Sequence, residues 1–242
     1  MTLEVIRPLW PVGSGVSALA TTRLGGVSRG PFLSFNLGER CGDDPDRVRQ
    51  NRGLLSTGLP ASPRWLRQVH GIRVLHLDDW SPDVEADAAW TDRPGQVAAV
   101  LSADCLPLLL ADRQARLVAA VHAGWRGLAA GVVEAAVSAL PLEPQALIAW
   151  IGPGISQAQY QVSSELRAQF PAEQGAFVEN ERGRWQADLK AIARNRLVEA
   201  GVGRVIDSGL CTAADAGRFF SYRRDGGRTG RQASLIWLQP AG

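Results

Sequence analysis

Lysine is almost missing from these 242 residues: Lys190 is the only one, and nearly all the positive charge is arginine. With 26 basic against 24 acidic side chains the formal net charge is only +2, which leaves no electrostatic footprint for a nucleic acid. Arginine use on this scale fits genome composition, and it also suits small anions such as phosphate, whose paired oxygens match the guanidinium fork. Long hydrophobic runs are missing as well. No uninterrupted apolar stretch reaches the roughly 18 residues that a membrane span needs, and no charged-then-apolar leader opens the chain. A cytoplasmic protein with no membrane partner is expected. The three cysteines, Cys41, Cys105 and Cys211, are odd in number and far apart, which argues against a disulfide framework. There is one methionine, Met1, and there are three histidines, His70, His76 and His122.

What is present is a hydrophobic fraction of 45%, ample for a sizeable core. No repeat, low-complexity segment or Pro/Ser-rich linker divides the chain, so residues 1–242 are read as a single domain. Strand-like runs alternate with helical ones. Val16 to Thr22, Trp65 to Val69, Ile72 to Leu77, Ala146 to Ile151, Val205-Ile206 and Leu235 to Trp237 read as strands. Asp44-Pro45-Asp46 marks a helix start, with a capping carboxylate and proline at the first helical position, and this helix should continue to about Leu55. Asp188 to Ala200 has a helical apolar stripe. Gly127 to Leu140 has the length and alanine content of another helix, ended by Pro141.

The centre of the chain is where chemistry is expected. Leu117 to Val121 suits a strand buried on both faces. It stops at His122, and Gly124 and Gly127 bracket a turn that opens a helix, whose free N–H groups and neighbouring Arg126 suit an anion. Upstream, Val97 to Leu101 leads through Ser102-Ala103-Asp104-Cys105-Leu106-Pro107 into Leu108 to Ala111. Asp112-Arg113-Gln114 then turns back towards His122, so these runs read as neighbouring strands. His70 adjoins Gly71 at another apparent element end. His76, inside a strand run, decorates a strand face.

Two imidazoles and one thiolate on separate loops match a catalytic zinc site, with the fourth position left to water or substrate. A blue-copper site also uses two histidines and a cysteine, but with a weak axial methionine, which makes copper the poorer match here. On spacing alone, a buried thiol near two hydrogen-bonded histidines is the simpler account. A cysteine hydrolase with Cys105 as nucleophile and His122 or His70 as base remains an alternative. So does a non-enzymatic, metal-dependent binding module in cell-wall precursor metabolism.

Gln68-Val69-His70-Gly71, Ala103-Asp104-Cys105-Leu106-Pro107, His122-Ala123-Gly124-Trp125-Arg126-Gly127 and Ile151-Gly152-Pro153 together resemble a known family. It is the laccase-domain, multicopper-polyphenol-oxidase-like family now described as purine nucleoside phosphorylases, which includes the peptidoglycan editing factor. Further matches run through Thr21-Thr22-Arg23, Gly25 to Ser28, Asn36-Leu37-Gly38, Gly42 to Asp44, Asn51-Arg52, Cys211-Thr212, Phe219 to Arg224 and Thr229 to Arg231, covering nearly the whole chain. The resemblance implies a mixed α/β fold, with central sheets flanked by helices, and zinc bound by His70, Cys105 and His122. It further implies phosphorolysis of adenosine, inosine and S-methyl-5′-thioadenosine, and deamination of adenosine. Purine nucleosides and phosphate are then the partners. Asn36, Arg52, Arg126, Arg223 and Arg231 become candidates for substrate and phosphate binding. Asp104 becomes a candidate for proton transfer, although in a regular strand it would point away from Cys105 and serve a structural role.

Overall fold

The computed structural model describes residues 3–240. Its strands are β1 (Val5–Ile6), β2 (Val16–Thr21), β3 (Val74–His76), β4 (Ala88–Thr91), β5 (Val97–Ser102), β6 (Leu106–Asp112), β7 (Val118–Ala123), β8 (Leu147–Ile151), β9 (Gln161–Val162), β10 (Phe177–Glu179), β11 (Trp185–Ala187), β12 (Arg204–Asp207) and β13 (Gln232–Leu238). Its helices are α1 (Pro45–Ser56), α2 (Trp125–Ala130), α3 (Val132–Ala139), α4 (Ser164–Arg167) and α5 (Leu189–Glu199). One sheet has the order β1-β2-β13-β5, with antiparallel neighbours throughout. A second has the order β12-β8-β6-β7-β4-β3, antiparallel in its middle with a parallel pair at each edge. A small antiparallel sheet has the order β10-β11-β9. The fold is mixed α/β, as the resemblance implies.

Strand side chains alternate between faces, and that alternation sorts the apolar residues into layers. Leu109, Ala111, Val118, Ala120 and Trp150 of the six-stranded sheet meet Ala18, Ala20, Ala98, Val100, Ile236 and Leu238 of the four-stranded one. The opposite parity of the six-stranded sheet (Leu106, Leu108, Leu110, Ala119, Val121) is covered by Val133, Ala136 and Val137 of α3 and Ile192, Ala193 and Leu197 of α5. The outer face of the four-stranded sheet (Leu19, Ala99, Leu235, Trp237) is covered by Leu55 of α1 and by Phe35 and Leu37. Two sheets therefore lie face to face with helices outside each. Every residue of β6 and β7 is buried, which explains why both read as unbroken apolar runs.

Four local expectations need correction. Val97 to Leu101 is not a neighbour of the strand that carries His122: β5 pairs with β13, and only β6 pairs with β7. The chain crosses from one sheet to the other at Ala103–Cys105. The single helix expected over Gly127 to Leu140 is two, because Gly131 adopts φ +97°, a left-handed conformation that glycine permits. Its N–H caps the carbonyls of Gly127 and Leu128. Trp65 to Val69 forms no strand. Arg64 bridges Ala98 of one sheet and Arg67 bridges Glu85 beside the other, so this segment spans the two sheets and extends neither. The run expected over Ile72 to Leu77 pairs only at Val74–His76. By contrast α1 and α5 begin at Asp44 and Asp188, whose side chains accept from Asp46 N and Ala191 N, as capping chemistry predicts. Lys190 donates to Asp207 Oδ1 at 2.9 Å and to the Leu210 carbonyl at 3.0 Å, tying α5 to the segment after β12.

Leu109 is fully buried between the sheets. Leu109→Ala should lower unfolding free energy by about 2–5 kcal/mol, read as a reduced midpoint in urea denaturation with an unchanged slope.

Candidate metal centre

Three elements deliver polar groups to one end of the gap between the sheets. His122 lies opposite Pro107 in the β6–β7 pairing and shares its parity with Val118 and Ala120, so its ring points into the interlayer. Cys105 lies on the crossover from β5 to β6. His70 lies in the spanning segment, at φ +60°. The metal-ligating atoms of His70, Cys105 and His122 all fall within 4.8 Å of one another. Cys105 Sγ is 3.7 Å from His70 Nε2, and the two imidazole rings meet edge-on at 4.7 Å between centroids. Glycine is required opposite them, because a Cβ on Gly124 would lie 2.8 Å from both Cys105 Sγ and His70 Cδ2.

One participant was not legible in the sequence. Asp87, just before β4, is fully buried, and its Oδ1 accepts a hydrogen bond from His122 Nδ1 at 2.8 Å. It also accepts from the backbone N–H groups of Val69, His70 and Gly71. Its contacts come from residues 16 to 35 positions away in sequence.

The electrostatics follow from this packing. Burial pushes the Cys105 thiol up, but the charge and hydrogen bond of His122, with the hydrogen bond of His70, outweigh it and hold the thiol at about 6. Burial pulls His122 down, while the Cys105 thiolate and the Asp87 carboxylate raise it to about 9. Burial pushes Asp87 up, yet its bonds from His122 and the backbone keep it below the usual carboxylate range. Thiolate, imidazole and a carboxylate behind the imidazole form the donor set and support that a borderline-soft metal ion prefers. The residues present fit such an ion.

Beside the triad lies a cleft of about 490 Å³, lined among others by Trp125, Tyr160, Arg184, Trp185 and Arg223. Its link to the triad is electrostatic: burial first, then the charge of Cys105, pushes the Tyr160 phenol up to about 12. Tyr160 therefore keeps its hydrogen at neutral pH and can donate a hydrogen bond into the cleft. Arg223 sits over the Tyr160 ring at 4.7 Å, and Arg126, exposed, folds over Trp125 at 4.4 Å. Neither pairs with a carboxylate among the described residues. A hollow of similar size, lined by Arg113, Gln145 and Gly201 to Gly203, lies at the opposite end of β6 and β8.

The other sequence-selected residues bind the chain itself. Asp104, at φ +88°, lies outside any regular strand. Its carboxylate accepts from Thr212 Oγ1 at 2.7 Å, Ser221 Oγ at 3.0 Å and Arg223 N at 2.6 Å. It thereby fastens the segment that carries Arg223 to the turn that carries Cys105. Asn36 is fully buried, donating to Gly38 O and Asp43 Oδ2 and accepting from Gly38 N and Arg231 N. Arg52 donates to Leu37 O and Glu39 Oε1 and lies over Trp65. Arg231 donates to the carbonyls of Thr229 and Gly230. These three do not line the cleft. His76 packs against Trp90 at 4.4 Å, decorating its strand as expected.

A mixed α/β protein with a candidate His-Cys-His metal triad beside a cationic, aromatic cleft is the class that fold and site define. Residues 17–239 match the family described as multi-copper polyphenol oxidoreductase laccase. The chain is 47% identical over 239 residues to a Pseudomonas aeruginosa protein named purine nucleoside phosphorylase, covering 97% of this chain and 98% of that one. It is 45% identical over 242 residues to the purine nucleoside phosphorylase YfiH of Escherichia coli, covering 97% and 99%. Among solved structures, a Neisseria meningitidis protein superposes with a TM-score of 0.93 at 41% identity, over 98% and 99% of the two chains. YlmD from Geobacillus stearothermophilus gives 0.90 at 33% identity, over 98% and 96%. The chain belongs to this laccase-like YfiH family.

Gly124→Ala should lower bound metal well below one ion per chain while leaving the circular dichroism spectrum intact, because the added methyl enters the donor triangle and not the core. Elemental analysis of the purified variant against the parent protein checks this.

Proposed function

We propose that the chain is a zinc-dependent purine nucleoside phosphorylase acting on adenosine, inosine and S-methyl-5′-thioadenosine, with adenosine deaminase activity, working as a single cytoplasmic domain. The names of its relatives support the phosphorylase reading. The observation that carries it is the three-donor triad beside a cleft whose arginines have no carboxylate partner among the described residues.

Zinc is the metal the donors favour. His70, Cys105 and His122 supply three ligands, which suits a catalytic zinc with an open fourth position. A multicopper centre needs many more histidines than the three in this chain, and a blue-copper site wants a methionine where only Met1 exists. When bound, zinc would supply a Lewis acid able to polarise a nucleoside or to activate a water.

The chain's own residues do the rest. In phosphorolysis an oxygen of phosphate forms a bond to the sugar C1′, the glycosidic bond breaks, and its electron pair leaves with the purine, which takes up a proton. Phosphate must therefore be held against the sugar, and the departing negative charge must be offset. Arg223 and Arg126 hold phosphate, helped by Arg184 from the turn that leads into β11. Trp125 and Tyr160 wall the cleft and exclude water from the nucleoside, and the protonated Tyr160 hydroxyl donates to it. Asp104 fixes Arg223 through its backbone N–H. Asn36, Arg52 and Arg231 bond the loops around them.

The Cys105–His122–Asp87 succession also has the order of a nucleophile, a base and an orienting carboxylate, which favours a cysteine hydrolase as the second reading. His70 within 3.7 Å of the same sulfur speaks for metal instead. Tight, stoichiometric zinc on Cys105 would decide against the hydrolase.

Adenosine with saturating phosphate should give adenine and ribose 1-phosphate, with inosine forming in parallel by a route indifferent to phosphate. Free ribose produced equally with and without phosphate would mean hydrolysis and would overturn the proposal. Arg223→Ala should raise the phosphate concentration for half-maximal rate about tenfold to a hundredfold, since a lost charge-assisted contact is worth roughly 1.5–3 kcal/mol. Zinc content should stay unchanged.

A further inference from the structure

Two of the three donors of the metal centre are touched by one carboxylate. Asp87 Oδ1 accepts from His70 N at 3.0 Å and from His122 Nδ1 at 2.8 Å. Its Oδ2 accepts from Val69 N at 3.0 Å and Gly71 N at 2.7 Å. Its backbone carbonyl accepts from His122 N at 2.7 Å. We propose that Asp87 is the positioning residue of the metal centre, which assembles the two histidines in ligating geometry before any metal arrives. This rests on the metal triad and not on which nucleoside the enzyme takes.

The His70 side of the argument is conformational. A non-glycine residue at φ +60° is held there by its surroundings. Three successive N–H groups converging on one anion are the cradle that holds it. Without the carboxylate these amides lose their shared acceptor, and the loop relaxes towards extended backbone, turning the imidazole away from Cys105.

The His122 side is a matter of tautomer. A carboxylate oxygen only accepts, so Nδ1 must carry its hydrogen, which leaves Nε2 as the ligating nitrogen. Asp87 pairs with no arginine or lysine among the described residues, and His122 is its one charged partner. Among the described residues its other partners are the backbone N–H groups of Val69, His70 and Gly71.

Asp87→Asn separates these roles without changing shape. An asparagine turns an NH2 group either towards Val69 and Gly71 or towards His70 N and His122 Nδ1. The first choice sets donor against donor in the cradle. The second drives His122 to the tautomer with hydrogen on Nε2, where it cannot ligate. Either choice weakens the site.

The test is zinc titration against a competing chromophoric chelator, with cobalt substitution as the spectroscopic readout. Asp87→Asn should bind zinc 10- to 100-fold more weakly, and its cobalt form should show displaced ligand-field and thiolate charge-transfer bands. A merely structural role would lower the melting temperature without moving either. Should the variant fail to fold, hydrogen exchange on the metal-free parent protein decides: the amides of Val69, His70 and Gly71 should already be protected. Zinc affinity within twofold of the parent with an unchanged cobalt spectrum overturns the proposal. So does protection of those amides that appears only with zinc. No substrate enters these measurements, so a failure of phosphorolysis would count against the functional reading and leave this result standing.

Discussion

Bringing a thiolate and two imidazoles to within 4.8 Å of one another at the rim of an apolar interior is the constraint on which the site depends. Buried charges must be compensated, and the two stacked sheets leave few places where that can happen. Within the sheets, β6 and β7 are buried along their whole lengths and admit polar side chains only at their ends. The chain meets the constraint where it leaves one sheet for the other. Cys105 occupies the crossover, His122 the end of the adjacent strand, and Asp87 stands behind them accepting four hydrogen bonds. Gly124 keeps its backbone close because a side chain there would strike two of the donors.

The same crossover couples the metal centre to the cleft. Asp104 precedes Cys105, and its three accepted hydrogen bonds reach Thr212, Ser221 and Arg223, all in the last fifth of the chain. A shift of the Cys105 turn must therefore move Arg223, which stacks on Tyr160. The candidate metal donors and the proposed phosphate-binding arginine are held in one frame, which is what a reaction between two bound partners requires.

Much of this was legible in the sequence, and what was not has physical causes. Fully buried strands announce themselves as short apolar runs, and caps such as Asp44-Pro45 mark helix starts through local chemistry. The three candidate ligands stand out because histidine and cysteine are scarce here and sit beside glycines or strand ends. Sheet membership was misjudged at Val97 to Leu101, because pairing partners are chosen by packing at long range: β5 takes β13, far off in the chain. The β9–β11 sheet leaves no local signal because its strands are two or three residues long, too short for a period to show. Asp87 was missed because no local pattern separates a buried carboxylate from a solvated one; its donors arrive only on folding. Arg52 and Arg231 show the converse. Their motif positions resemble the family's, and their guanidinium groups also bond loop carbonyls and, for Arg52, the Glu39 carboxylate, contacts that spacing does not reveal.

The name of the family points to copper and oxidation, the names of the relatives to nucleosides, and the donor set to a single soft-to-borderline metal. Metal-edge X-ray absorption on protein purified without chelator tests the centre most directly. The account predicts a zinc edge, with one sulfur at about 2.3 Å and two imidazole nitrogens at about 2.0–2.1 Å, the sulfur shell disappearing in Cys105→Ser. A first shell of nitrogen and oxygen alone, or a copper edge, would contradict it.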